Sequence, residues 1–371
     1  MTIILIGPAP PWRGGIAHHT SLLALELSRR HDVEVVTFTR QYPSLLFPGT
    51  SQQESGTPVP GIPTNRRIDT LNPVSWIRTG LSVRSRAPAL LVFPYSLPFF
   101  APSFGTIAAI ARRATGIRIV YLCHNVIPHE ARPGDRLLTK FAFSFADGFV
   151  VQSESVRHDL LRLRPDARIS FAHHPVYNAF GEPIDKHEAR KKLGLINRRT
   201  LLFFGYVRHY KGLSVLLEAV SRTEEIALVV AGEFYEREEL YADLIRRLGI
   251  ESRVTVINRY IPTDDIHLYF SAADAVVVPY RSATQSGIIQ LAYSFNRPVI
   301  ASAVGGLSEV VSHGVNGRLV PAGDPEALAD EIRTFYRNGE EVTMPESVET
   351  SKHLYSWRAL ADAVESFATG I

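Results

Sequence analysis

The chain has 371 residues, 45% of them hydrophobic and 21% charged, with a formal net charge of +3. A length of this order suggests two or three domains, and the composition excludes a disordered or collagen-like chain. The single cysteine, Cys123, excludes an intrachain disulfide and a cysteine metal cluster, and makes a reducing cytoplasm the expected compartment.

The small net charge conceals an asymmetry. Residues 1–170 carry 19 Lys/Arg against 11 Asp/Glu, a balance of +8, whereas the rest carry 21 against 26, a balance of −5. Two domains facing different partners would produce such a split.

The opening residues, Met1 to Gly7, have no basic stretch, and their apolar run is too short for a signal peptide, so Ile3–Ile6 is expected as a buried strand. A helix over Ala17–Arg30 follows, with Leu22, Leu23, Leu25 and Leu27 around its apolar face, and then a strand over Val33–Thr37. Residues 41–72 are rich in Pro, Ser, Gly and Gln with little periodicity, which predicts a mobile loop or lid. The uncharged stretch between Arg86 and Arg112 is long enough to cross a bilayer, but Pro88, Pro94, Pro98 and Pro102 forbid one continuous helix. It is expected instead as a strand, Ala89–Tyr95, a turn, and a helix from about Ser103.

Further strands fit Ile117–Cys123, Gly148–Gln152 and Arg168–Ala172, followed by a turn-rich linker around His173 to Asn178. In the second half strands fit Leu201–Phe204, Ile226–Ala231, Val254–Ile257, Ala275–Val278, Pro298–Ala301 and Gly317–Val320, with helical patterns between them. Strand–helix alternation implies parallel sheets. The expected architecture is α/β, two doubly wound Rossmann-like domains, 1–175 and 176–353, facing each other across a cleft. Ligands in such folds bind beyond the carboxyl ends of the strands.

Four constellations carry chemistry. Arg208 and Lys211, in Gly205-Tyr206-Val207-Arg208-His209-Tyr210-Lys211-Gly212, follow a strand and precede a helix. A planar guanidinium fork and a compact ammonium there suit a diphosphate; the plain alternative is a solvated loop, which would set a cation against a helix N-terminus. The run Thr284-Gln285-Ser286-Gly287-Ile288 opens a helix from about Gly287 to Phe295, where free amides can bind an anion or Ser286 can act as an ordinary cap. Gly14-Gly15 after the first strand lets backbone approach a ligand, although the dinucleotide fingerprint is absent and a flexible turn would look the same. His124 ends an apolar strand, with His129 and Glu130 close behind, and reads either as a hydrogen-bonding or proton-shuttling group or as a buried structural histidine. His18-His19, His173-His174 and Cys123 show no zinc spacing.

The segments FFGYVRHYKGLSVLLEA, VVAGEF and YFSAADAVVVPYRSATQSGIIQLAYSFNRPVIASAVGGLSEVV resemble the donor domain of the retaining family-4 glycosyltransferases (GT-B fold, glycosyl transferases group 1). The likeness covers most of residues 200–340 and is weaker in GGIAHHT and YLCHNVIPHE. The closing YSWRALADAVESFA is similar to the family's last helix, which implies that residues 354–371 return to the first domain.

The resemblance implies that Arg208 and Lys211 neutralise the departing nucleoside diphosphate and that His124 lines the donor-sugar site. It implies that Gly14 and Gly15 approach the donor from the other domain. It places Ser286, Gly287 and Ile288 at phosphate and sugar, and Tyr260 and Ile261 at the nucleobase. Two departures stand out. Tyr206 occupies the place of a family arginine, and the family's two glutamates fall on Thr284 and on Leu291 or Ala292. Thr284, Gln285 or Gln290 would have to substitute with neutral hydrogen bonds, weakening ribose binding by about 1–2 kcal/mol.

The function so implied is retaining sugar transfer from a UDP- or GDP-sugar to a glycan or lipid-linked acceptor, with no metal and no cofactor beyond the nucleotide sugar. The alternative is a catalytically impaired relative that binds nucleotide sugar or a partner protein. For a nucleotide-sugar epimerase no acid/base pair stands out. Arg66-Arg67, Arg84, Arg86, Arg112-Arg113 and Arg118 suit an anionic membrane surface, or are simply solvated. No basic–aromatic motif points to nucleic acid. The expected location is cytoplasmic, at the inner face of the membrane.

Overall fold

The structure, a computed structural model, describes residues 1–43, 51–54, 62–128, 132–195 and 198–368. His129, Glu130 and residues 44–50 and 55–61 of the expected lid lie outside the described residues. The chain divides into two compact units, Met1–His174 with Ser356–Ile371, and Pro175–Tyr355.

The first unit runs β1 (Thr2–Ile6), α1 (Gly15–Ser28), β2 (Asp32–Arg40), β3 (Thr64–Asp69), α2 (Pro73–Arg86), β4 (Leu90–Tyr95), α3 (Ala101–Ala111), β5 (Arg118–Cys123), α4 (Asp135–Phe143), β6 (Gly148–Val151), α5 (Glu154–Leu163) and β7 (Ile169–Phe171). Its strands form a parallel sheet in the order β3-β2-β1-β4-β5-β6-β7. The order reverses between β1 and β4, the switch point where such sheets open a crevice at their carboxyl edge. Pro94 is tolerated in the central strand β4 because the paired register with β1 ends at Leu5 opposite Val92, two residues earlier. An aromatic core of Phe93, Phe104, Tyr121, Phe143 and Phe149 fills one side of the sheet.

β3 corrects the reading of 41–72 as loop throughout. Its sequence, Thr-Asn-Arg-Arg-Ile-Asp, is almost wholly polar because it is the sheet edge, and only Ile68 enters the core. Leu25 likewise faces outward, while Leu22, Leu23 and Leu27 are buried.

The second unit runs α6 (Lys186–Lys192), β8 (Arg199–Phe204), α7 (Leu213–Ser221), β9 (Ile226–Ala231), α8 (Glu238–Leu248), β10 (Val254–Ile257), α9 (Ile266–Ala272), β11 (Ala275–Val278), α10 (Gly287–Ser294), β12 (Val299–Ser302), α11 (Leu307–Val310), β13 (Gly317–Val320), α12 (Pro325–Arg337) and α13 (Glu340–Ser351). The strand order is β10-β9-β8-β11-β12-β13, all parallel, with its switch point between β8 and β11. Buried Asp274, just before β11, accepts from Arg190 at 3.0 Å, Lys186 at 2.6 Å and the Thr200 amide at 2.7 Å, fixing α6 to the amino edge of the sheet.

A final helix, α14 (Trp357–Glu365), belongs to the first unit and packs on α1. Arg30 clasps it through Asp362 at 2.8 Å and Glu365 at 2.9 Å. No helix among the described residues is long and apolar enough to cross a membrane.

Candidate functional site

Two loops border the switch point of the second unit, Gly205–Gly212 after β8 and Pro279–Ser286 after β11. The first is drawn tight by glycines. Gly205 has φ +92°, and its amide donates to the Ala231 carbonyl at 2.9 Å, prolonging the β8–β9 pairing. A side chain on Gly232 would stand 2.1 Å from the Gly205 carbonyl oxygen, and one on Gly212 2.0 Å from that of Pro279, so both positions demand glycine. Between them a single helical turn, His209–Lys211, folds the chain back on itself, steadied by the Glu236 carboxylate accepting from the His209 amide.

This fold-back buries Lys211. Its ammonium lies over Gly205, where a Cβ would be 3.2 Å from Nζ and 3.4 Å from Ile288 Cδ1, and 5.7 Å from the centre of the Tyr280 ring. Burial, and after it the charge of Arg208, brings the Lys211 ammonium down from 10.5 to about 7. Among the described residues neither Arg208 nor Lys211 has a carboxylate partner. Two adjacent cations without counter-ion, one of them desolvated, form a site that favours an anion.

Arg208 is held from below. Its guanidinium carbon is 5.0 Å from the centre of the Tyr235 ring, and Tyr235 packs against Tyr206 with ring centres 4.5 Å apart. The residue that departs from the family pattern, Tyr206, therefore completes a tyrosine shelf under the guanidinium.

Ser286 occupies the N-cap position of α10 with φ −140° but makes no side-chain bond to the helix, so it is not an ordinary cap. Its hydroxyl stands beside the Tyr280 phenol instead. The amides of Gly287 and Ile288 begin the helix, where no intrahelical carbonyl is available to them. A Cβ on Gly287 would meet the Tyr177 phenol oxygen at 3.2 Å. Thr284 is buried and Gln285 half-buried. One turn into α10, Gln290 is buried with no hydrogen-bond partner for its Oε1 among the described residues. Leu291 and Ala292 are buried apolar positions of the helix. Tyr260, half-buried, and Ile261, buried, follow β10 on the same carboxyl edge as Gly205 and Gly232.

Gly14, Gly15 and His124 belong to the first unit. Gly14 has φ +113° and caps α1, of which Gly15 is the first residue, and a side chain at 14 would meet nothing within 4 Å. The glycine serves backbone conformation, leaving the amides at the start of α1 open. His124 follows β5, and its amide donates to the Tyr95 carbonyl at 2.8 Å.

Sequence reasoning missed what surrounds His124. His19 of α1 crosses it edge-on with ring centres 4.6 Å apart, and His174 lies 5.0 Å from His19. The Gln152 amide nitrogen and His19 Nε2 are 3.1 Å apart, and Trp357 of α14 lies 5.0 Å from the His19 ring. These residues are far apart in sequence, and only the spacing of His19 beyond Gly15 was a local signal. Burial, with His174 second, holds the His124 imidazole neutral, at about 3, and burial lowers His19 well below the usual histidine range. A histidine so reluctant to charge is a hydrogen-bonding group, not a proton shuttle. Among the described residues no group of three His, Cys, Asp or Glu is arranged to hold a metal ion. Cys123 is buried in β5, which raises its thiol far above the range of a nucleophile.

Comparison with known proteins gives a consistent picture. Residues 198–338 match the family described as "Glycosyl transferases group 1", and residues 14–173 the "Glycosyl transferase 4-like domain". The D-inositol 3-phosphate glycosyltransferase 1 of Catenulispora acidiphila is 30% identical over 62% of this chain and 61% of its own. The chain spans about half to three-fifths of the length of the curated relatives it matches. In structure it is similar to sucrose-phosphate synthase from Thermosynechococcus elongatus, with a TM-score of 0.75 and 20% identity over 99% of this chain and 98% of that one. It is also similar to Anabaena HepE in complex with UDP, with a TM-score of 0.79 and 18% identity over 100% of both chains. These two likenesses are of fold, GT-B, with two Rossmann-like domains.

Proposed function

The chain belongs to the group 1 glycosyltransferases, and from that premise we propose that it transfers a sugar from a nucleotide-diphosphate sugar, with UDP or GDP as the base carrier, to a glycan or lipid-linked acceptor with retention at the anomeric carbon. The observation that carries the proposal is the pair Arg208 and Lys211, cations without counter-ion at the β8–β11 switch point beside the opening of α10.

In this reading the donor's bond from the anomeric carbon to the β-phosphate oxygen breaks, and its electron pair goes to that oxygen. Arg208 and Lys211 stabilise the charge that develops there, which is where preorganised electrostatics contributes most. The Gly287 and Ile288 amides add the positive end of a helix. The acceptor hydroxyl attacks the face the diphosphate leaves and gives its proton to the departing phosphate oxygen. Neutral His124 hydrogen-bonds the donor sugar, Gly14 and Gly15 approach it, and Tyr260 and Ile261 hold the base. The charge chemistry is assigned to the chain's own cations, without a metal ion. An excess of arginine in the first unit supports an acceptor presented at an anionic membrane.

The test is turnover of UDP- and GDP-sugars with lipid and glycan acceptors, together with nucleotide binding. Turnover that survives Arg208→Ala and Lys211→Ala refutes the mechanism. The missing carboxylates at Thr284, Leu291 and Ala292 favour one rival, an impaired relative; tight nucleotide binding without turnover on any acceptor would establish it.

A further inference from the structure

The arginines of the first unit are not equivalent. Arg86 is paired with Glu34, Arg112 with Asp147, and Arg66 donates to the Phe38 and Thr39 carbonyls. Arg78 and Arg84, both on α2, have no carboxylate partner among the described residues and are exposed. Nor does α2 itself contain an acidic residue.

The inner face of α2 is settled. Thr79 and Val83 are buried, and Gly80 is so close to α3 that a Cβ there would stand 2.9 Å from Ile110 Cβ. The outer face is apolar where a solvated helix would be polar. Val74, Ile77 and Leu81 are 52%, 44% and 51% exposed. At 100° per residue these three fall within about 60° of one another, with Arg84 on one flank and Arg78 on the other. Beside the first turn of α2, Arg66, Arg67 and Arg78 line a cavity of about 350 Å³ together with Thr39, Asn72 and Ser75. Helix α4, on the far side of α3, also exposes apolar side chains, Leu137 at 73% and Phe141 at 41%, with the exposed cations Arg136 and Lys140 on one flank of them.

We propose that the outer face of α2, continued by α4, docks the first unit on an anionic phospholipid bilayer. The apolar side chains enter the boundary between headgroups and acyl chains, and Arg78 and Arg84, with the arginine-lined cavity, take lipid phosphates. Apolar residues ringed by arginines without counter-ion are the chemistry of an interfacial helix. Charge decides against a second copy of the chain: a two-fold dimer through this face would set like patches of arginine against each other, whereas a bilayer bearing anionic lipid supplies the complement. The inference deepens the proposed use of a membrane-presented acceptor by naming the surface, and it is tested without donor or acceptor.

The experiment is flotation of the full chain with vesicles of phosphatidylcholine alone, or with about 30% phosphatidylglycerol added, at low and high salt. The chain is expected to float only with the anionic vesicles and to be released by salt. Arg78→Gln with Arg84→Gln is expected to lower partitioning about 25-fold, roughly fivefold per arginine. Ile77→Ser with Leu81→Ser is expected to lower it at least about tenfold. All four positions are exposed, so unchanged melting and unchanged UDP binding show that the variants are folded. UDP binding and turnover read the transfer proposal separately. Absence of flotation with anionic vesicles at low salt overturns the inference, as does equal flotation of the wild type and both double variants. A lipid-free dimer dissolved by Leu81→Ser, without flotation, would overturn it in favour of self-association.

Discussion

Replacing Lys211 by methionine keeps most of the side chain's volume and removes the buried ammonium. Lowering a lysine from 10.5 to about 7 corresponds to an upper limit of about 5 kcal/mol disfavouring the folded, unliganded state. Below about pH 7 the ammonium is charged whether the unit is folded or not, and the full penalty applies. Between about 7 and 10.5 the unfolded chain holds more protons than the folded one, so wild-type stability rises with pH, and beyond that the penalty is gone. The variant is therefore expected to melt higher than wild type at about pH 6, by roughly 5 °C if even a third of the limit is realised. That gain should shrink steadily toward about pH 10. UDP binding should move the other way, about ten- to a hundredfold weaker for the loss of a charge-assisted bond to phosphate. Calorimetry of the wild type near pH 8, in two buffers of different ionisation enthalpy, should show uptake approaching one proton per UDP bound. UDP binding by the wild type without proton uptake, together with a Lys211→Met variant neither stabler nor weaker in UDP affinity, would refute the claim that this lysine is an anion site held in a strained charge state.

Other expectations follow from the same geometry. Arg208→Ala should lower kcat/KM for the donor about a hundred- to a thousandfold, the usual cost of removing one preorganised group from a developing oxyanion, measured by steady-state kinetics. Tyr235→Leu removes the shelf beneath that guanidinium without touching its charge, and should raise donor KM by about fivefold while leaving the melting temperature nearly unchanged. His124, held at about 3 by burial, makes the fold acid-sensitive: stability should fall as pH drops below about 6.5, by about 1.4 kcal/mol per pH unit for each such neutral histidine, until about 3. His124→Gln should flatten that slope in acid melts. Turnover should be indifferent to EDTA, since the proposed charge stabilisation comes from side chains; loss of activity restored by a divalent ion would contradict it.

The alternation of strands with helical patterns made both sheets legible in the sequence, because β1, β4, β5, β8, β9 and β11 are continuous apolar runs bounded by turns. β3 escaped because an edge strand buries only Ile68, leaving no pattern of period two to detect. Arg208 and Lys211 could be singled out since strand, glycine, cation and helix are consecutive. Their charge state could not, because it depends on Gly205, Ile288 and Tyr280 closing over an ammonium from three separate segments. The shelf of Tyr206 and Tyr235, and the group of His19, Gln152 and His174 around His124, are likewise products of topology. Tyr206 departs from the family pattern in sequence, and its ring packs on Tyr235 from the loop after β9, a neighbour 29 residues away that no local pattern announces.

The second unit is one uninterrupted stretch, Pro175–Tyr355, whose boundary residues meet: the Val176 amide donates to the Tyr355 carbonyl at 3.0 Å. The first unit is assembled around that junction from two stretches, the later of which is clasped by Arg30. A segment that enters and leaves at one hydrogen-bonded point is a cassette. If the second unit holds the donor, as proposed, exchanging residues 175–355 for the matching stretch of a relative is expected to change the donor preference while the chain is cut at only two places, before Pro175 and after Tyr355.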